Sequence, residues 1–218
     1  MDAKEFIRIW EEFIFEISKK DDVFSRYQDD SEWTNLILGE NRGNSSISST
    51  LGNFIRQKSC LEYRTEDSKI DIAFGNKKDN FSGIKSYNKN ECVINESNFY
   101  PKYYQLVIEH ENKIEYCWQE MMKLTYLRAK LKVLITYNWY KDEGKRIYLI
   151  KDNFGKIIEQ ANSDIQEDIQ TEYLLIVGHC IKDEIHWHNF IFNFNVTHHV
   201  IAQNSTKWIY SKENSRKR

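Results

Sequence analysis

Apolar residues recur at three- and four-residue spacing in three stretches near the start of the chain, a pattern that predicts amphipathic helices. The predicted helices cover residues 2–19, 31–38 and about 47–58. Asp2 and Ser31 are the expected N-caps of the first two, because their side-chain oxygens can accept from the free backbone N–H groups of a first turn. The chain therefore begins with a helical layer.

The pattern then changes to strands. The segments CLEYRT and KIDIAF are separated by the polar stretch EDS, which predicts a β-hairpin. With the turn centred on Asp67 and Ser68, Arg64 would lie opposite Asp71. Because side chains alternate between the faces of a strand, Asp71 lies on the face opposite Ile72.

Residues 75–101 are rich in Asn, Lys, Ser and Gly and predict an inserted loop with a short strand at Cys92–Ile94. The segment YYQLVIEHEN, residues 103–112, is the next strand, and a helix is predicted over about 114–130. LKVLITY follows as a nearly continuous apolar run, typical of a strand covered on both faces. This order predicts a right-handed parallel crossover.

The last part of the chain predicts a helix over 141–170 that is interrupted by Gly155. The segments EYLLIVGHC and IHWHNFIFNF then predict an antiparallel pair of strands around KDE. We divide the single expected domain into N-terminal helices, a core with its insertion, a helix with closing strands, and a tail: 1–46, 47–138 with 75–101 inserted, 139–204 and 205–218.

Composition narrows the function classes. A net charge of −2 over 218 residues argues against a generally basic polyanion binder. No apolar run approaches the length that crosses a bilayer, so no membrane partner is expected. The four cysteines are scattered without a CxxC pair, which favours reduced thiols in the cytoplasm over a zinc cage.

Two glutamates stand out on the strand at 103–112. Glu109 and Glu111 share one face, with Cα atoms about 7 Å apart. Neighbouring carboxylates on an apolar strand repel one another and resist desolvation. A hard divalent cation, which prefers carboxylate oxygens, would offset that cost.

The chain resembles the PD-(D/E)XK nuclease superfamily in the region of about 47–138. The resemblance lies in the order of an αβββαβ core, in the segments KIDIAF and LVIEHEN, and in the helix that precedes LKVLITY. The residues that carry it are Asp71, Glu109, Glu111, Gln119, Glu120 and Lys123. It implies an α/β fold of the restriction-endonuclease type, with a mixed central sheet flanked by helices and an N-terminal helical extension.

The resemblance also implies site residues. Asp71 matches the metal-binding aspartate of the family, and Glu109 matches the acidic first position of the (D/E)xK strand. Glu111 stands where the family pattern has lysine, and it could join Asp71 and Glu109 as a metal ligand or act as the base. Lys123 on the next helix could supply the positive charge of the missing lysine. The implied activity is Mg²⁺- or Mn²⁺-dependent hydrolysis of nucleic-acid phosphodiester bonds by an endonuclease, with DNA the preferred substrate by family analogy.

A further acidic ligand often comes from elements before or within the hairpin, for which Glu32, Glu40 and Glu62 are weaker candidates, and Gln119 is a weaker candidate on the helix. A non-catalytic relative that binds nucleic acid or a protein partner is the alternative, and a structural domain with a fortuitous acidic strand is a third hypothesis. A homodimer is compatible with each.

Histidines offer a second candidate site. His186 and His188 flank Trp187 at strand spacing, which predicts either a two-histidine metal face or ordinary strand histidines. His110 lies on the strand face opposite the two glutamates and is expected in the core.

Overall fold

The computed structural model describes most of the chain, with gaps between the described ranges. These ranges are 1–19, 26–27, 29–39, 50–67, 69–80, 85–87, 92–94, 101–140, 144–163, 171–181, 184–193 and 200–208. The helices are α1 (Ala3–Ser18), α2 (Asp30–Leu38), α3 (Thr50–Lys58), α4 (Cys117–Thr125) and α5 (Lys145–Ser163). The strands are β1 (Glu62–Asp67), β2 (Ile70–Gly75), β3 (Lys85–Tyr87), β4 (Cys92–Ile94), β5 (Tyr104–Glu111), β6 (Ala129–Asn138), β7 (Glu172–Ile181), β8 (Glu184–Asn193) and β9 (Val200–Trp208).

A seven-stranded mixed sheet, ordered β1-β2-β5-β6-β7-β8-β9, forms the centre of the fold. Strand β6 pairs in parallel with both β5 and β7, and the remaining neighbours are antiparallel. The predicted parallel crossover through α4 and the antiparallel pair β7–β8 are therefore confirmed. A second crossover, through α5, joins β6 to β7.

Helices cover both faces of the sheet, so the protein is an α/β protein. One buried cluster joins α1, α2 and α3 to Ile72, Leu106, Val133 and other residues on one face of the sheet. The other joins α4 and α5 to the opposite face, which includes Ala73, Val107 and Leu134. Within the described ranges, no helix is long and apolar enough to cross a membrane.

The register of the β1–β2 hairpin differs from the prediction. Asp67 pairs with Ile70, and Lys69 in the turn between them adopts a positive φ of 69°. Arg64 consequently pairs with Ala73 and lies diagonal to Asp71. The predicted direct opposition of Arg64 and Asp71 is wrong, because the centre of the turn lies one residue later in the chain than predicted. Both residues nevertheless lie on the predicted face of the hairpin.

Helix boundaries also differ. Asp29, not Ser31, caps α2, and its carboxylate accepts from the backbone N–H groups of Ser31 and Glu32. Helix α5 runs through Gly155 without the predicted interruption. Helix α4 is shorter than predicted, because the chain has already entered β6 at residue 129.

Two further predictions concern the C-terminal tail and the inserted loop. Strand β9 continues to Trp208, past the start predicted for the tail at 205. Within the predicted insertion, β4 confirms the short strand at Cys92–Ile94, and it pairs with β3. Residues 81–84, 88–91 and 95–100 of the predicted inserted loop lie outside the described ranges.

Candidate functional site

Asp71 and Glu109 face one another across neighbouring strands. Strands β2 and β5 pair through Ile72 with Ile108 and Ala73 with Val107, and one further step of that register sets Asp71 opposite Glu109. The Asp71 carboxylate accepts a hydrogen bond of 2.7 Å from the backbone N–H of His110. Both acids point to the sheet face that α4 and α5 cover, as strand alternation predicts.

The Glu109 carboxyl is buried in a way that disfavours its charge. Its residue is 1% exposed to solvent. Burial raises the pKa of Glu109 to about 9, the negative charge of Asp71 adds to the increase, and the Lys123 ammonium opposes it. A second positive charge at this position would favour the ionised carboxylate further.

Lys123 connects three parts of the site. Its ammonium lies 2.9 Å from Oε1 of Glu109 and 2.5 Å from Oε2 of Glu120. It also donates a 2.8 Å hydrogen bond to the backbone carbonyl of Lys69 in the hairpin turn. Burial lowers the pKa of Lys123, but the two carboxylates outweigh it and the net shift is upward, so the ammonium remains charged.

Glu111 lies two residues further along β5 on the same face. It is partly buried, and its Oε1 accepts a 2.8 Å hydrogen bond from the backbone N–H of Lys113. Burial is the main cause of the raised pKa of Glu111, and the nearby charge of Glu120 adds to it. The two strand glutamates therefore have different surroundings, one paired with a lysine and one bound to backbone.

Glu120 is one of the residues that carry the sequence resemblance, but the sequence predicted no role for it in the site, and the structure places it there. Its carboxylate contacts Lys123, and its charge raises the pKa of Glu109. The available signal was its three-residue spacing from Lys123, which also fits an ordinary surface pair.

The weaker candidates lie elsewhere or outside the described chain. Glu62 is exposed on β1 and pairs with Gly75, four residues along β2 from Asp71. Gln119 is exposed on α4. Glu32 is exposed on α2, which packs on the opposite face of the sheet. Glu40 lies outside the described residues.

The donor set suits a hard cation with few protein ligands. Among the residues that the structure describes, no group of three or more His, Cys, Asp or Glu side chains is arranged to hold a metal ion. Mg²⁺ usually keeps several waters and takes one or two carboxylates together with substrate phosphates. Asp71 and Glu109 fit that requirement, because both present carboxylates and the ionised form of Glu109 needs compensation.

The histidines form a separate cluster on β7 and β8. His186 pairs with His179, and the rings of His179 and His188 have centroids 6.3 Å apart. Burial lowers the pKa of His188 to about 4, and the charges of His179 and His186 contribute. His110 lies in the core as predicted, with its Nε2 2.7 Å from the hydroxyl of Tyr137.

Comparisons with family models, with curated proteins and with solved structures found no match for this chain.

Proposed function

We propose that the chain is a metal-dependent nuclease of the PD-(D/E)XK type that hydrolyses nucleic-acid phosphodiester bonds, with DNA as the preferred substrate. The observation that carries this proposal is the juxtaposition of Asp71 and Glu109 on neighbouring strands with the Lys123 ammonium 2.9 Å from Glu109. The order α3, β1, β2, β5, α4, β6 supports the αβββαβ assignment.

Asp71 and Glu109 would hold Mg²⁺ or Mn²⁺. When bound, such an ion lowers the pKa of a coordinated water and neutralises charge on the attacked phosphate. Asp71 is oriented for this role by the N–H of His110, which fixes one carboxylate oxygen. Glu109 is fixed by its burial in the sheet.

Lys123 and Glu111 would act on the substrate side. Lys123 supplies the positive charge that the family places on the strand itself, and its contacts with Glu109 and Glu120 keep that charge at the site. The raised pKa of Glu111 makes it a better proton acceptor than an exposed glutamate, which suits a general base.

One observation favours a non-catalytic alternative. Lys123 already compensates Glu109 and Glu120, and its third hydrogen bond goes to the backbone of Lys69. A site whose lysine is already bound to three protein groups would also serve a nucleic-acid- or protein-binding module in which these residues stabilise the fold. The nuclease would cleave its substrate and need the charges of Asp71 and Glu109 to do so, whereas the binding module would not cleave.

Cleavage assays separate the two functions. Plasmid, single-stranded DNA and RNA would be incubated with the protein and Mg²⁺ or Mn²⁺, and compared with Asp71→Asn and Glu109→Gln. Both variants should lose cleavage, since each removes one ligand charge. Glu32→Gln is the matched control, because it removes an exposed carboxylate on the other side of the sheet. Equal cleavage by all four proteins, or none by wild type, would exclude the nuclease function.

A further inference from the structure

A pocket of about 440 Å³ opens between α4 and α5. Residues of both helices line it, among them Cys117, Trp118, Met121, Arg146, Leu149 and Asn153. Its volume lies toward the lower end of the range for small-ligand pockets, about 300–1,000 Å³. It therefore suits one planar group rather than a helix or a folded partner.

The pocket and the acidic site share α4. Cys117 and Met121 contribute to the pocket, while Glu120 and Lys123 contribute to the acidic site. Ile114 and Glu115 of the pocket lining follow Glu111 by three and four residues, so one side of the pocket lies close along the chain to the end of the acidic strand.

The walls combine an exposed aromatic plane with a cation. Trp118 is 48% exposed although the helical pattern predicts it to be buried, so its ring forms an open face. The Arg146 guanidinium lies 3.7 Å from the centroid of the Tyr140 ring, and its Nη1 lies 3.9 Å from Oε1 of Glu115. Arg146 is therefore held at the pocket wall by an aromatic face and a carboxylate.

We propose that this pocket receives an unstacked nucleobase of a single-stranded segment of the substrate, an inference that rests on the proposed function. Trp118 provides the stacking face, the amide of Asn153 offers a donor and an acceptor to a base edge, and Arg146 meets the adjoining phosphate. The apolar interior formed by Cys117 and Met121 accepts the ring.

The test measures binding in EDTA, where cleavage does not occur, with two fluorescent probes. One is a short oligothymidylate, and the other is a strand of equal length in which every base is replaced by an abasic residue. Trp118→Ala should weaken binding of oligothymidylate by about 5- to 150-fold and leave abasic binding unchanged. Leu149→Gln, a neutral change at a position 60% exposed on the pocket rim, should give a smaller but equally selective loss.

Tyr148→Ala is the matched control, because Tyr148 is also 48% exposed on α5 but lies outside the pocket lining. It should bind both probes as wild type does. Equal affinity of wild type and both pocket variants for oligothymidylate, equal losses for the two probes, or no binding of either probe by wild type would overturn the inference.

Cleavage assays of wild type and Asp71→Asn, run beside these titrations, separate this inference from the proposed function. If wild type binds oligothymidylate through its bases, Trp118→Ala loses that binding, and wild type never cleaves, the result would support the pocket and reject the nuclease. Cleavage that depends on Asp71, with no effect of Trp118→Ala on either probe, would support the nuclease and reject the pocket.

Discussion

The ammonium of Lys123 lies 2.9 Å from Oε1 of Glu109, so a cation on a helix compensates a carboxylate that the sheet buries. The two residues come from consecutive elements, β5 and α4, and their contact depends on how the crossover packs against the sheet. Glu109 also faces Asp71, whose charge raises the pKa of Glu109 while the Lys123 ammonium lowers it. The contact between Lys123 and Glu109 therefore favours negative charge on this part of the sheet.

Lys123→Met should lower the free energy of unfolding by about 1–3 kcal/mol, because buried Glu109 loses its cation. Chemical denaturation above pH 9, where Glu109 is ionised, would measure the change. In the Glu109→Gln background the same substitution should cost much less, since the buried charge is already absent. Lys156→Met, on the exposed side of α5, is the control, and an equal loss in both backgrounds would contradict the coupling.

Gly178→Ala should destabilise the fold by about 1–3 kcal/mol through overpacking. A Cβ there would lie 2.8 Å from the ring of Trp187 and 2.9 Å from that of Tyr137. Gly155→Ala is the matched change, because its Cβ would lie 3.6 Å from Phe192, and alanine favours a helix interior. Thermal unfolding should show the first protein melting lower and the second melting at or above wild type; the reverse order would contradict this packing.

Strand alternation was sufficient to predict that Asp71, Glu109 and Glu111 share a face and that His110 lies on the other. The register of the hairpin was not predictable in the same way. It depends on Lys69 adopting a positive φ, a conformation that neither glycine nor asparagine signals at this position.

Contacts between distant elements account for the other differences. Helix α5 continues through Gly155 in a position where the ring of Phe192, from β8, packs close to that glycine. Trp118 fits the apolar pattern of a helix but lies at its flank beside the pocket, because periodicity identifies a buried stripe without locating its edges. Glu120 joined the site only through the packing of α4 on β5.

His188 should make the protein sensitive to acid. Its folded pKa of about 4 lies below the ordinary value of 6.5, so the unfolded state binds more protons between those values. Stability is therefore complete above pH 6.5 and falls as the pH decreases toward 4, by on the order of 2 kcal/mol after allowance for partial exposure.

Denaturation of His188→Gln across that window should show a weaker loss than wild type. His186→Gln should keep most of the acid dependence, because burial, not the charge of His186, is the largest cause of the shift. Identical acid profiles for wild type and His188→Gln would contradict the prediction.

Two substitutions at Asp71 separate its charge from its hydrogen bond. Asp71→Asn keeps an oxygen that can accept from the N–H of His110, whereas Asp71→Ala removes the acceptor. We expect the alanine variant to be less stable than the asparagine variant by about 1–3 kcal/mol, while both lose cleavage. Urea denaturation and the plasmid assay measure the two effects, and an alanine variant as stable as the asparagine variant would refute the structural role of this bond.

Glu109→Gln should remove the loss of stability that wild type shows as the pH rises. The folded pKa of about 9 exceeds the ordinary 4.5, so wild type loses stability as the pH rises between those values, by up to about 1.4 kcal/mol per pH unit. The glutamine variant, which does not ionise, should lack this slope and melt higher than wild type at alkaline pH.

Mg²⁺ should reverse that order. The ion should raise the melting temperature of wild type at alkaline pH, where Glu109 is ionised, and leave Glu109→Gln unchanged, because the amide cannot supply the missing ligand charge. Melting curves of both proteins with and without Mg²⁺ at the two ends of the pH window test this. A wild type that does not respond to Mg²⁺, together with a variant that melts lower under every condition, would show that Glu109 serves the scaffold alone. In that case the substitution would only break a structural ion pair with Lys123, which lowers the stability of the protein and leaves metal binding unaffected.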